Sequence, residues 1–155
     1  MKIKRDSYLQ QLISYRFDGL VKVITGIRRC GKSYLLKNIY RDYLIRNGVK
    51  EDQIITIELD LAKDIKYRNP LILSSYVREK VEKSKEEYYL FIDEIQMSDE
   101  VANPYNPKGK KITFYDALND LRGLVNLDVY VTGSNSKMLS SDILTEFRGR
   151  SDEIR

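Results

Sequence analysis

The chain of 155 residues contains no histidine, no tryptophan and a single cysteine. Without histidine there is no Ser-His-Asp or Cys-His nucleophile and no imidazole metal site. Any chemistry rests on carboxylates, lysine, arginine, hydroxyls or backbone amides. One cysteine excludes an intrachain disulfide and agrees with a reducing compartment. The opening MKIKRDSYLQQLI has no continuous apolar stretch of the signal-peptide kind, and no later run reaches membrane-spanning length. The expectation is a cytoplasmic protein without a membrane partner. Prolines number three and glycines eight, too few for a collagenous or low-complexity chain.

What is present fits one globular domain. Hydrophobic residues make up 42% and charged residues 32%, and 27 Lys+Arg against 23 Asp+Glu leave a net charge of +4. That excess is mild; it admits an acidic partner, such as a nucleotide or nucleic acid, without requiring one.

Short β-branched runs alternate with helical periodicities. RDSYLQQLISYRF places Tyr8, Leu9, Leu12, Ile13 and Tyr15 near a helical spacing and ends at Asp18-Gly19. LVKVIT (20–25) then reads as a buried strand, and residues 32–46 form a helix with Leu35, Ile39, Tyr43 and Ile45 on one side. QIITIELDL (53–61) is a second strand, followed by a helix opening at Asn69-Pro70. YYLFIDEI (88–95) is a third strand. Residues 97–112 form a loop with two prolines and Lys108, Lys110 and Lys111, and Thr113 with Asp116 predicts a capped helix through Leu124. DVYVTGS (128–134) is a fourth strand, and a helix over 137–147 precedes the basic end RGRSDEIR. Strands alternating with helices imply an α/β fold: a three-layer α-β-α core around a mainly parallel sheet with right-handed crossovers.

GIRRCGKS (26–33) follows the first strand and opens a helix, which is the context that G-x-x-x-x-G-K-[ST] requires. A chance match in such a chain has odds of roughly one in a few hundred. Gly26 and Gly31 allow positive φ and close backbone approach, so the N–H groups of Gly26, Ile27, Arg28, Arg29, Cys30, Gly31, Lys32, Ser33 and Tyr34 form the candidate phosphate cradle. Lys32 would reach the β- and γ-phosphates of ATP, Ser33 would offer its hydroxyl to Mg²⁺, and Tyr34 its N–H to the α-phosphate. Arg28, Arg29 and Cys30 occupy the variable positions; phosphate contact, contact with a second subunit and plain solvation all stand for them.

Asp93 and Glu94 close the third strand at its C-terminal end, where parallel sheets bind ligands. Asp93 is the candidate Mg²⁺ carboxylate, and Glu94 is the candidate base for the attacking water. Ser134 or Asn135 could sense the γ-phosphate from the end of the fourth strand, Asn135 being preferred, with ordinary turn chemistry as the alternative. Arg148 and Arg150 are candidate arginine fingers, acting in cis or from another subunit, or else simply a basic helix end. No N-K-x-D motif for guanine appears, which favours ATP.

GIRRCGKS, LFIDEIQ, VTGSNSKML and FRGR together resemble the prokaryotic AAA-like P-loop ATPases of the AAA+ and signal-transducing branch, in the group whose core is followed by a C-terminal domain of unknown role. The resemblance covers nearly the whole chain. The first two motifs belong to P-loop ATPases at large, and the last two point to this group. It implies a sheet of order 5-1-4-3-2 with the fifth strand beyond Arg155, which would leave the phosphate-loop strand on an open edge. Residues 1–155 would then be one P-loop ATPase domain, the N-terminal part of a longer protein. It further implies a Mg²⁺-dependent ATPase acting as a switch or motor, with self-association and a nucleic-acid or protein partner reached through the C-terminal domain. The alternative is a nucleotide-controlled regulatory or DNA- or partner-binding module with little or no hydrolysis.

Overall fold

The computed structural model describes residues 2–24, 33–133 and 152–154. Helix α1 (Lys2–Ser14) leads through a turn at Phe17 (φ 52°) and Gly19 (φ 82°) into β1 (Lys22–Ile24). Helix α2 begins as a π-helical stretch, Leu35–Tyr40, and continues as α-helix over Arg41–Arg46. Next come β2 (Ile54–Glu58), a 3₁₀ segment (Ala62–Arg68), α3 (Pro70–Glu82) and β3 (Tyr88–Asp93). Helix α4 (Phe114–Leu121), β4 (Leu127–Thr132) and β5 (Asp152–Ile154) follow.

The local signals for two helix starts hold. The Asn69 side chain accepts from the N–H groups of Leu71 and Ile72, with Pro70 opening α3. Thr113 and Asp116 form a reciprocal capping box at α4, although that helix ends at Leu121 rather than Leu124. Strands β2 and β3 are shorter than the runs that mark them, ending at Glu58 and Asp93. The loop over 97–112 is drawn into a small hairpin by the Val101–Ile112 pairing, with Tyr105 fully out in solvent.

Among the described residues the strands of the sheet pair in parallel, in the order β2-β3-β4-β1-β5. This is the 5-1-4-3-2 order, but one part of the expectation is corrected. The fifth strand lies within the chain, with Asp152, Glu153 and Ile154 opposite Lys22, Val23 and Ile24, so β1 is an interior strand and not an open edge. A three-residue strand beginning with two acidic residues carries no apolar pattern; only its pairing with β1 identifies it.

The strand period of two divides the core between the two faces of the sheet. Val23, Ile55, Ile57, Leu90, Ile92, Val129 and Val131 pack with Leu73, Val77 and Val81 of α3 and Leu118 and Leu121 of α4. Ile24, Tyr89, Phe91 and Tyr130 face Leu12 of α1 and Leu35, Leu36, Tyr40 and Leu44 of α2. The result is three layers, helix on sheet on helix.

Among the described residues, four polar side chains are buried in the strands: Lys22, Asp93, Asp128 and Thr132. Lys22 is fully buried. Its ammonium donates to Asp128 (2.5 Å), Asp18 (2.9 Å) and the Leu20 carbonyl (2.8 Å). Asp128 also accepts from the Tyr130 hydroxyl (2.6 Å) and the Phe17 N–H (3.0 Å). The Tyr40 hydroxyl lies 2.5 Å from that of Tyr130, and since Tyr130 donates to Asp128, Tyr40 is the donor of this pair. Burial pushes both tyrosine hydroxyls well above their ordinary range, so both remain protonated donors. The network fastens β1 to β4 and to α2 at the N-terminal ends of the strands. Removing one member strands a buried charge, which costs about 3–5 kcal/mol. Lys22→Met is therefore expected to lose about that much in urea unfolding, with Lys22→Met/Asp128→Asn recovering part of the loss.

Candidate functional site

Because the strands are parallel, their C-terminal ends share one edge, and register decides which side chains stand together there. Glu58 ends β2 opposite Asp93 at the end of β3. The Ile92–Val131 pairing brings Thr132, at the end of β4, beside Asp93. Parity does the rest: Asp93 continues the Tyr89–Phe91 series, Thr132 the Tyr130 series and Glu58 the Ile54 series, all of which face α2.

Helix α2 brings two polar groups down onto this row. Ser33, just ahead of Leu35 at the helix start, donates its hydroxyl to Asp93 at 2.8 Å from either carboxylate oxygen. Lys37, one turn later on the same face, donates to Glu58 (2.7 Å) and to Asp93 (3.2 Å). Thr132 donates to Asp93 (2.5 Å). Asp93 is only 5% exposed, and these donors compensate its burial. Desolvation pulls the Lys37 ammonium down, but its hydrogen bond to Glu58 and the charge of Asp93 outweigh this and hold it above lysine's usual range.

Glu94 takes a different path. Its backbone is left-handed (φ 59°, ψ 57°), so the chain turns sharply out of the strand into the short 3₁₀ turn Ile95–Met97. Buried Ile95 anchors that turn in the core below α3 and α4. The Glu94 N–H donates to the Thr132 hydroxyl (3.1 Å), and its carboxylate accepts from the Gln96 side-chain amide. A non-glycine residue in this conformation is strained and persists because its surroundings hold it there. Asp93 and Glu94, adjacent in sequence, thus belong to different faces of the site while sharing Thr132.

The oxygen donors of Ser33 and Asp93 suit a small hard cation. No group of three or more Asp, Glu, Cys or His converges among the described residues. Two such oxygens would leave most of the shell of a cation such as Mg²⁺ to waters and substrate phosphates. Tyr34 stands beside Ser33 and is 40% exposed. Gly26, Ile27, Arg28, Arg29, Cys30, Gly31, Lys32, Ser134, Asn135, Arg148 and Arg150 lie outside the described residues, as does the helix expected over 137–147.

Three residues of the arrangement went unread in the sequence. Thr132, the last residue of β4, immediately precedes the Gly-Ser-Asn stretch in the sequence. Glu58 carries a legible signal, being a polar residue at a strand's C-terminal end with the parity of the ligand side. Lys37 carries another, four residues after Ser33. Neither signal has meaning until β2 and β3 are known to be neighbours.

A family model described as an AAA domain matches residues 18–155. An uncharacterized protein of Haemophilus influenzae is 34% identical over 153 residues, covering 99% of this chain and 35% of that protein. One of Methanocaldococcus jannaschii is 32% identical over 134 residues, covering 84% of this chain and 24% of that protein. The chain thus spans about a third or less of the length of these relatives. Among solved structures it is similar to a chain of Drosophila ORC bound to DNA (TM-score 0.58, 14% identity, 96% of this chain and 87% of that one). It is also similar to C. elegans PCH-2 (TM-score 0.57, 16% identity, 95% and 39%) and to Cdc6p from Pyrobaculum aerophilum (TM-score 0.57, 14% identity, 97% and 45%). At these identities the structural likeness speaks for the fold. No helix among the described residues is long and apolar enough to cross a membrane.

The strain at Glu94 is measurable. Glu94→Gly and Glu94→Ala delete the same carboxylate, but only glycine relaxes the left-handed backbone. Glu94→Gly is expected to be more stable than Glu94→Ala by about 1 kcal/mol in denaturant unfolding.

Proposed function

The chain belongs to the family of AAA domains, and from that premise we propose that it is a Mg²⁺-dependent ATP-binding core that hydrolyses ATP and acts as a switch or motor module. The observation that carries the reading is the Ser33–Asp93 hydrogen bond. It unites the last residue of a phosphate-loop motif with an acidic strand end 60 positions away. A glycine-rich surface turn has no reason to meet that carboxylate; a nucleotide site needs the two within reach of one cation.

In this reading the backbone amides from Gly26 to Tyr34 receive the phosphates, and Lys32 reaches the β- and γ-phosphates. Ser33 and Asp93 would hold Mg²⁺, which when bound supplies positive charge to the phosphate oxygens. Thr132 fixes the Asp93 carboxylate by donating to it. Glu94 orients the attacking water and accepts its proton, its carboxylate steadied by Gln96. Positioning of this kind is the main contribution a protein makes to phosphoryl transfer, whose transition state is loose. Asn135 senses the γ-phosphate, and Arg148 or Arg150 neutralises charge developing on it, within one subunit or from a second copy. Residues 1–155 act as one ATPase domain, and the partner it drives, a protein or a nucleic acid, is engaged through the rest of a longer chain.

The test uses the full-length protein with a fluorescent ATP analogue and a phosphate-release assay. Wild type is expected to bind in the presence of Mg²⁺ and to release phosphate. Glu94→Gln is expected to keep binding while turnover falls on the order of 100-fold or more. Asp93→Asn is expected to lose the Mg²⁺ dependence of binding. Binding without phosphate release under every condition would overturn the hydrolytic reading in favour of a nucleotide-controlled regulator. Transfer of the γ-phosphate to a small acceptor would overturn both.

A further inference from the structure

Lys37 has no assigned part in the chemistry above, yet it is the positive side chain nearest to Asp93 among the described residues. It lies on α2 one turn beyond Ser33, with its side chain 28% exposed, and it spans two strand ends. Its shorter bond, 2.7 Å, goes to Glu58 on β2, and its longer one, 3.2 Å, to Asp93 on β3. Asp93 has two hydroxyl donors besides Lys37, those of Ser33 and Thr132. Glu58 has a second cation, Lys63 at 3.3 Å, and its own N–H donates to Asp64 (2.9 Å). Glu58 is therefore held in place whichever way Lys37 leans.

We propose that Lys37 and Glu58 form a charge-exchange pair that sets how readily the Asp93 site accepts a divalent cation. Without metal, the Lys37 ammonium is the counter-charge of Asp93. A divalent cation arriving at Ser33 and Asp93 repels that ammonium, and Glu58 is the carboxylate that retains it. A divalent cation and an ammonium crowded onto the buried Asp93 repel each other strongly at low effective dielectric, so an adjacent acceptor lowers the cost of the exchange. Lys37 and Glu58 are positioning residues in this scheme: neither is required to touch nucleotide. The inference rests on the reading of Ser33 and Asp93 as a Mg²⁺ site in a nucleotide-binding core.

The two partners have opposite signatures, which an ordinary strut between α2 and β2 would not produce. The experiment measures binding of a fluorescent ATP analogue to full-length protein at increasing Mg²⁺. Lys37→Met removes the competing ammonium, so the Mg²⁺ concentration for half-maximal binding is expected to fall by a factor on the order of ten. Glu58→Gln leaves the ammonium with Asp93 as its only carboxylate partner in the pair, so that midpoint is expected to rise by a similar factor. Lys37→Arg keeps the charge and is expected to stay near wild type. Lys37→Met/Glu58→Gln is expected to follow Lys37→Met, because without the Lys37 ammonium there is no competitor for Glu58 to draw away from Asp93. Lys37→Gln replaces the Met variant if circular dichroism shows the latter unfolded. Midpoints unchanged within twofold, or moving in the same direction in the two single variants, would overturn the exchange while leaving the nucleotide reading intact. Failure of wild type to bind the analogue at any Mg²⁺ concentration would overturn the nucleotide reading and this inference with it.

Discussion

A carboxylate with 5% of its residue surface in water must find donors or a counter-charge, and Asp93 finds both. Ser33 reaches it from the start of α2, Thr132 from the end of β4, and Lys37 from the next turn of α2. None of these contacts is local in sequence. Each depends on the parallel register that sets the ends of β2, β3 and β4 side by side and on α2 lying across them. The site is thus a consequence of sheet order before it is a consequence of motif. A shift of register by one residue would turn Asp93 to the opposite face and away from Ser33 and Lys37 together.

The same strands carry a second buried charge cluster at their other ends. Lys22 and Asp128 join β1 to β4 at the N-terminal edge, with Tyr130 and Tyr40 extending the bonds to α2. The two clusters bracket the sheet and differ in kind. The Lys22 group is closed, with ammonium and carboxylate both fully occupied and almost no surface in water. The Asp93 group is open, with Lys37 and Glu58 both partly solvated and shared between alternative partners. Strain lies on the open side as well: the left-handed Glu94 sits next to Asp93 and hangs from Thr132. A closed, buried network at one end of the strands thus stands opposite an open one, next to a left-handed residue, at the other.

The relation to other proteins follows the same division. The family match over 18–155 and the relatives in H. influenzae and M. jannaschii identify the domain. The likeness to ORC, PCH-2 and Cdc6p chains reflects the sheet and its helices. The relatives extend well beyond the portion matched here, so the work that an ATP cycle in this core would drive is a matter for the longer proteins. What the described residues offer is the Ser33–Asp93 pair, joined to β2 through Lys37 and Glu58.

A good deal of this was legible in the residues alone. The alternation of β-branched runs with helical periodicities specified an α/β sheet. Asn69-Pro70 and the Thr113–Asp116 box marked helix starts because capping is a contact within one turn. GIRRCGKS and LFIDEI singled out Ser33, Asp93 and Glu94 by residue type and short fixed spacing, and the fold gathers these three at one strand edge. The rest required the fold. The strand Asp152–Ile154 was hidden because pairing, not composition, makes it a strand. Lys37, Glu58 and Thr132 were hidden because their significance lies in distances between segments tens of residues apart. The left-handed turn at Glu94 was hidden because glutamate has no preference for it; the anchored Ile95 and the Thr132 hydroxyl impose it. Short-range physics is written in the sequence, whereas which strand ends share a neighbour is decided only when the whole sheet closes.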